Sequence, residues 1–283
     1  MEKLTIMEQF QKADEGGYAV PHFNFSDIWD LTAIIKAAEE MQSPVIVASN
    51  RKCAATHSCS VIAAMEKAMA AKASVPVYLH LDHSLTVEQC REAVDAGYDT
   101  VMIDGSMLSL EENIAITKEV VDYAHLHGTF VEGEIGRLKG NNDESTFDGG
   151  DYLVQVPQAV EYARGSGVDF LAVGVGTAHG FYKGKPEINF KRLGEVNEAL
   201  SLPLVLHDGT GIPEEDVRRA IKNGINKMNV GTIIYHTNVV TIYKTIQEHD
   251  TNMHTLDLMP ESMKAIREVV KGWIKVCMSE GKA

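Results

Sequence analysis

Eight short apolar runs, each followed by a segment with helical spacing of apolar residues, constrain this chain more than any other feature. The runs cover 19–24, 44–49, 75–82, 100–104, 130–134, 170–175, 202–207 and 227–230. Each is too short to be a helix and rich in β-branched residues, as strands buried on both faces are. A strand followed by a helix, repeated eight times, has one economical closed solution. We therefore expect an α/β fold of the (β/α)8 TIM-barrel class. The 283 residues suit one such barrel, and no internal repeat or low-complexity linker divides them, so a single domain over 1–283 is expected.

The helical segments carry boundary signals. Ser26-Asp27 opens one in which Ile28, Leu31, Ile34, Ile35 and Ala38 share a face; 86–96 follows Ser84 and stops at Gly97. The segment 109–127 ends at Gly128, and Pro213-Glu214-Glu215-Asp216 places a proline and acids in a first turn. The carboxyl-terminal segment 261–278 has apolar residues at helical spacing that could cover a neighbouring copy or its own barrel. The stretch 136–152, rich in Gly, Asn, Asp and Ser, is long for a connection and is expected to be an active-site loop.

In such barrels the chemistry sits at the carboxyl ends of the strands. Those positions hold Asn24, Ser49, Asp82-His83, Asp104, Glu134, Thr177-Ala178-His179-Gly180, His207 and Asn229. The run Leu79-His80-Leu81-Asp82-His83 is the most telling, because an acid beside an imidazole is costly to bury without partners. Three histidines at three strand ends, His83, His179 and His207, with Asp104 and Glu134 nearby, form a donor set for a catalytic zinc with an open coordination position. The remaining histidines, including His22 and His80, are expected to be structural. The loops after strands seven and eight, where phosphate commonly binds, read His207-Asp208-Gly209-Thr210-Gly211 and Asn229-Val230-Gly231-Thr232. Their glycines permit close backbone approach to an anion, their threonines add hydroxyls, and Lys183 could add a positive charge.

The net charge of -14 argues against nucleic acid or an anionic membrane as partner, while leaving room for a small phosphorylated ligand held locally. No apolar run is long enough for a membrane span, and acids in the first residues do not suit a secretory signal. Cys53, Cys59, Cys90 and Cys277 lack metal or disulfide-scaffold spacing, so reduced thiols in a cytoplasmic protein are expected.

On these residues the chain resembles the class II, metal-dependent fructose-bisphosphate aldolases, nearest to the branch that includes tagatose-bisphosphate aldolases. The resemblance runs over essentially the whole chain. It is carried by Leu79-His80-Leu81-Asp82-His83, Val101-Met102-Ile103-Asp104-Gly105-Ser106, Val131-Glu132-Gly133-Glu134-Ile135-Gly136, Gly176-Thr177-Ala178-His179-Gly180 and Lys227-Met228-Asn229-Val230-Gly231-Thr232. It implies zinc on His83, His179 and His207, with Asp104 and Glu134 holding the metal in an alternative position. It further implies Asp82 as general acid and base at the aldehyde oxygen. Gly180, Gly209, Thr210 and Asn229, Val230, Gly231 and Thr232 would bind dihydroxyacetone phosphate, with Asn24 and Ser49 nearby. Backbone carbonyls around Gly180 and Asp208 would face a monovalent cation, Na+ or K+, and the family suggests homodimers or homotetramers.

Two positions depart from the family pattern. Asp208 stands where a small residue commonly follows the third histidine. The loop reads Gly140-Asn141-Asn142-Asp143-Glu144, so Asn142 occupies the place of the usual proton-abstracting Glu. Glu144, with Asp143 second, is the displaced candidate. The expected function is zinc-dependent cleavage of a ketose 1,6-bisphosphate of fructose or tagatose type, or a related ketose 1-phosphate, to dihydroxyacetone phosphate and an aldehyde. The alternative is a sugar-phosphate-binding or regulatory subunit with little turnover. A lysine Schiff-base mechanism is disfavoured, because the sixth strand has no lysine and Lys227 is expected at the start of its own.

Overall fold

The computed structural model describes residues 3–136, 153–177, 186–249 and 253–283. In chain order these form α1 (Ile6–Gly16), β1 (Val20–Asn24), α2 (Ile28–Met41), β2 (Val45–Asn50), α3 (Arg51–His57), α4 (Cys59–Ala70), β3 (Val77–Ser84), α5 (Val87–Ala96), β4 (Thr100–Ile103) and α6 (Leu110–His125). They continue with β5 (Phe130–Ile135), α7 (Val156–Ser166), β6 (Phe170–Val173), α8 (Phe190–Ala199), β7 (Leu204–Leu206), α9 (Glu214–Ile221), β8 (Ile225–Val230), α10 (Thr232–His249) and α11 (Thr255–Val276). Every strand pairs in parallel with the next, and β8 returns to β1, so the sheet closes as a (β/α)8 barrel. All eight expected strands are present. Lys227 is the third residue of β8 rather than its first, because that strand begins at Ile225.

Local signals explain the boundaries. The Ser109 hydroxyl accepts from Glu112 N while the Glu112 carboxylate accepts from Ser109 N, a capping box that starts α6. Asp27 caps α2 by accepting from Trp29 N and Asp30 N. At the other end of α5, Gly97 takes φ 85, a left-handed conformation that suits glycine.

Helix α1 was not part of the strand-helix alternation, and it decides which end of the barrel is open. Its Ile6, Phe10 and Ala13 are buried against Val20, Ile46, Tyr78, Phe170, Ala172 and Val205 from the lower strand ends. The Phe10 and Phe170 rings meet edge-on, with centroids 5.2 Å apart. The amino-terminal mouth is thereby plugged with apolar side chains. A larger core fills the space between barrel and helices. The carboxyl-terminal segment packs on its own barrel: Val270 and Ile274 of α11 lie in that core, and Lys271 pairs with Glu40 of α2 at 2.6 Å.

Strand alternation layers the barrel interior above the plug. Residues two apart on one strand face the same way, so His22 lies below Asn24, His80 below Asp82, Glu132 below Glu134, and Lys227 below Asn229. All eight are buried. A polar middle layer therefore supports a polar upper layer.

Candidate active site and metal centre

The adjacent residues Asp82 and His83 both serve the open end because β3 is irregular there. Leu81 pairs with Val101 and Ser84 with Ile103, three steps along β3 against two along β4. This extra residue is a bulge, and His83 within it takes a left-handed φ of 51. Without it, one of the two side chains would point into the helical layer. Asp208, directly after His207, is also left-handed at φ 55, a region costly for a side-chain-bearing residue but most tolerable for Asp or Asn.

A cleft with ≈ 470 Å³ of empty space, mouth included, opens between these strand ends. Asn24, Asn50, Asp82, His83, His207, Asp208, Asn229, Gly231, Thr232 and Tyr235 line it, a largely polar wall at the open end of the barrel. No lysine or arginine is among these described lining residues. Asn24 Nδ2 donates to Asp82 Oδ2 at 2.8 Å, and Asn229 Nδ2 approaches Asp82 Oδ1 at 3.5 Å. Gly231 is needed for this arrangement, since a Cβ there would stand 2.7 Å from Asn24 Oδ1.

The two described histidines of the expected metal set face each other, with His83 Nε2 3.0 Å from His207 Nδ1. Each has its other nitrogen held by a carboxylate. His83 Nδ1 lies 2.9 Å from Asp104 Oδ2, and His207 Nε2 lies 2.8 Å from Glu132 Oε1. An ionised carboxylate only accepts, so the protons belong on those outer nitrogens. Two lone pairs then face across 3.0 Å, an arrangement that demands a cation between them. Burial opposes charge on His83, yet Asp82, Asp104 and Glu134 outweigh it and push its pKa up to about 10. With no metal, a proton is the cation that satisfies the site.

Other groups agree with that demand. Burial works to neutralise Asp82, but the surrounding histidines, His83 first, hold its carboxyl well below the usual range. Glu134 moves the opposite way, because burial and the neighbouring Asp104 push it well above a normal Glu. Its Oε2 is buried without a hydrogen-bond partner and sits 3.8 Å from His83 Nδ1. Donor atoms of Asp82, His83 and His207 lie within 4.8 Å of one another, as do those of His83, Asp104 and Glu134. The donor set fits a divalent metal. A third grouping, His22, His80 and Asp82, is equally compact, but the Lys227 ammonium 3.4 Å from His80 Nε2 opposes a second cation there.

Ser49, Gly209, Thr210 and Val230 are not among the residues that line the cleft. Ser49 is buried and meets the Tyr98 hydroxyl at 2.9 Å, while its neighbour Asn50 lines the cleft. The Thr210 hydroxyl accepts from Ile233 N at 3.3 Å, which ties the loop after β7 to the first turn of α10. Gly209 N donates to Asn229 O at 2.8 Å, and a Cβ at Gly209 would meet Met228 and Trp273. Val230 is buried within β8. His179, Gly180, Lys183, Asp143 and Glu144 lie outside the described residues. Sequence reasoning missed Asn50, Tyr235, Glu132 and Lys227. The last two had a signal, a charged residue two positions below a strand-end polar residue.

A closed barrel with one plugged mouth and an acid-imidazole cluster at the other defines a barrel enzyme with a centre suited to a divalent metal. The chain belongs to the class II fructose-bisphosphate aldolase family, whose model matches residues 4–282. Among solved structures it is similar to the YdjI aldolase from Escherichia coli K12, at 35% identity over 98% of each chain with a TM-score of 0.87. A putative fructose-1,6-biphosphate aldolase from Coccidioides immitis is similar at 28% identity and a TM-score of 0.91, covering 100% of this chain and 99% of that one. The fructose-bisphosphate aldolase of Campylobacter jejuni shares the fold at 18% identity and a TM-score of 0.84, over 98% of this chain and 95% of that one. The protein is an aldolase, a carbon-carbon lyase of class II.

Proposed function

We propose that this aldolase is zinc-dependent and reversibly cleaves a ketose 1,6-bisphosphate of fructose or tagatose type, or a related ketose 1-phosphate, to dihydroxyacetone phosphate and an aldehyde. The observation that carries the reading is the pair of facing imidazole nitrogens, 3.0 Å apart, beside the buried carboxylate of Asp82. His83 and His207 would hold the ion with His179, and Asp104 and Glu134 would offer it a second position. Zinc bound there supplies Lewis-acid polarisation of the ketone oxygen.

The chain's own groups do the rest. Asp82, oriented by Asn24, takes the proton from the substrate hydroxyl at the bond being cleaved and returns it to the aldehyde oxygen in the condensation direction. Gly231 and Thr232 sit in the cleft wall where α10 begins, so a phosphate can approach the positive amino end of that helix there. The start of α9 is a poorer anion site, since Glu214, Glu215 and Asp216 fill its first turn. Glu144 is the proposed base at dihydroxyacetone phosphate, and a monovalent cation near Gly180 and Asp208 would offset the latter's charge. Cytoplasmic location and homodimeric or homotetrameric assembly belong to the same proposal. Among the described residues no helix is long and apolar enough to cross a membrane.

The test is triose-phosphate release from fructose 1,6-bisphosphate and tagatose 1,6-bisphosphate, before chelation, after it, and after zinc is restored. Loss and recovery of turnover are expected, and the ratio of the two rates ranks the sugars. Turnover that survives complete chelation would refute the metal reading. No turnover on either sugar with zinc bound would point to another ketose phosphate or to binding without catalysis.

A further inference from the structure

Beneath the cleft floor the barrel holds a charged pair that the reaction itself does not use. Lys227 of β8 and Glu132 of β5 are both 0% exposed, and the Lys227 ammonium donates to Glu132 Oε2. Neither lines the cleft. An apolar pair of similar volume is often as stable as a buried ion pair, so stability alone is a weak reason for this one. Its neighbours supply a better reason.

An ammonium group only donates, and every atom facing it has to accept. His80 Nε2, 3.4 Å from Lys227 Nζ, therefore carries a lone pair. The His80 proton is left on Nδ1, which donates to Thr100 Oγ1 at 2.7 Å. Glu132, ionised by its pairing, offers its other oxygen Oε1 to His207 Nε2 at 2.8 Å, so that nitrogen carries the proton. The lone pair of His207 is thereby placed on Nδ1, the atom that faces His83 Nε2 in the cleft. One buried ammonium imposes opposite tautomers on two imidazoles.

We propose that Glu132 and Lys227 are positioning residues that act through His207, fixing the tautomer and ring orientation in which Nδ1 faces the metal. This rests on the metal reading above. It makes a sharp prediction about a pair of substitutions. In Glu132→Gln, Lys227 still donates to the amide oxygen, which turns the amide NH2 toward His207 Nε2. His207 then accepts at Nε2 and carries its proton on Nδ1, blocking the metal-facing atom. Adding Lys227→Met removes the ammonium, frees the amide to rotate, and lets its oxygen accept from His207 again.

Zinc affinity, measured by competition with a chromophoric chelator, is expected to fall about 10–100-fold in Glu132→Gln, the usual range for loss of a histidine's supporting carboxylate. The double variant should regain about tenfold of that loss. A purely structural role predicts the reverse order, since the double variant removes more native contacts. Zinc affinity at the unmodified level in Glu132→Gln, or a double variant no better than the single, would overturn the proposal. Should the single variant fail to fold, 15N imidazole spectra of the unmodified metal-free protein decide. The proton is expected on Nε2 of His207 and Nδ1 of His80, and either found on the other nitrogen would overturn it. Failure of the unmodified protein to bind zinc would instead overturn the metal reading; normal zinc binding with the wrong tautomers, or without the rescue, overturns this proposal alone.

Discussion

Replacing Glu66 by Gln should make the protein more stable at pH 8 and leave it nearly unchanged at pH 4.5. Glu66 sits on α4 with 3% of its surface exposed, and its Oε1 is buried without a hydrogen-bond partner. Burial is the main cause that raises its pKa, Asp99 adds to it, and Lys3 and Lys67 only partly offset it, for a folded value of about 7 against 4.5 in the unfolded chain. Between those two values the folded protein keeps a proton that the unfolded chain has lost. The folded state binds more protons there, so stability falls as pH rises through the window and stays low above it. At about 1.4 kcal/mol per pH unit, the full penalty is at most about 3.5 kcal/mol. Gln is neutral throughout and nearly isosteric, so it escapes that penalty. Melting curves of the two proteins between pH 4.5 and 8 should diverge by up to roughly 7–14 °C, at about 2–4 °C per kcal/mol for a chain of this size. A difference that stays flat across this range would refute the reasoning, since it would mean that water reaches Glu66 and lets it ionise normally.

Other expectations concern the active site. Asp82→Asn should lower turnover about 10²–10⁴-fold while zinc stays bound, which steady-state assays and metal analysis check together. Gly231→Ala should push Asn24 away from Asp82 and lower kcat/KM by up to about 10²-fold; unaltered kinetics would show that the Asn24 contact does not matter. Glu144→Gln should slow solvent exchange of the dihydroxyacetone phosphate proton about 10²-fold, with Asp143→Asn as the comparison; the reverse order would assign the base to Asp143.

The acid-imidazole cluster was more legible than the rest of the cleft. Asp82, His83 and His207 stand out because polar residues that end apolar strands are costly to bury and rarely occur without a use. The Ser49 position illustrates the opposite case. In a strand the facing alternates every residue, so a shift of one position exchanges cleft for helical layer, and Asn50 rather than Ser49 lines the cleft. The β3 bulge escapes sequence reading for the same reason. It alters which of two adjacent residues face inward without altering their identities.

The sequence by itself determined the barrel class, because eight strand-helix alternations with buried parallel strands close in essentially one way, and it determined the acid and imidazoles at the open end. It also carried the family motifs over nearly the whole chain. Only the tertiary structure decided that α1 plugs the lower mouth, that Asp104 and Glu132 each hold the outer nitrogen of a facing histidine, and that Lys227 lies beneath them in an ion pair. These contacts join residues 21, 75 and 95 positions apart, and no local pattern encodes which inward-facing residues of different strands will share a layer. That is set by strand register and tilt around the closed sheet, a property of the assembled barrel rather than of any one segment.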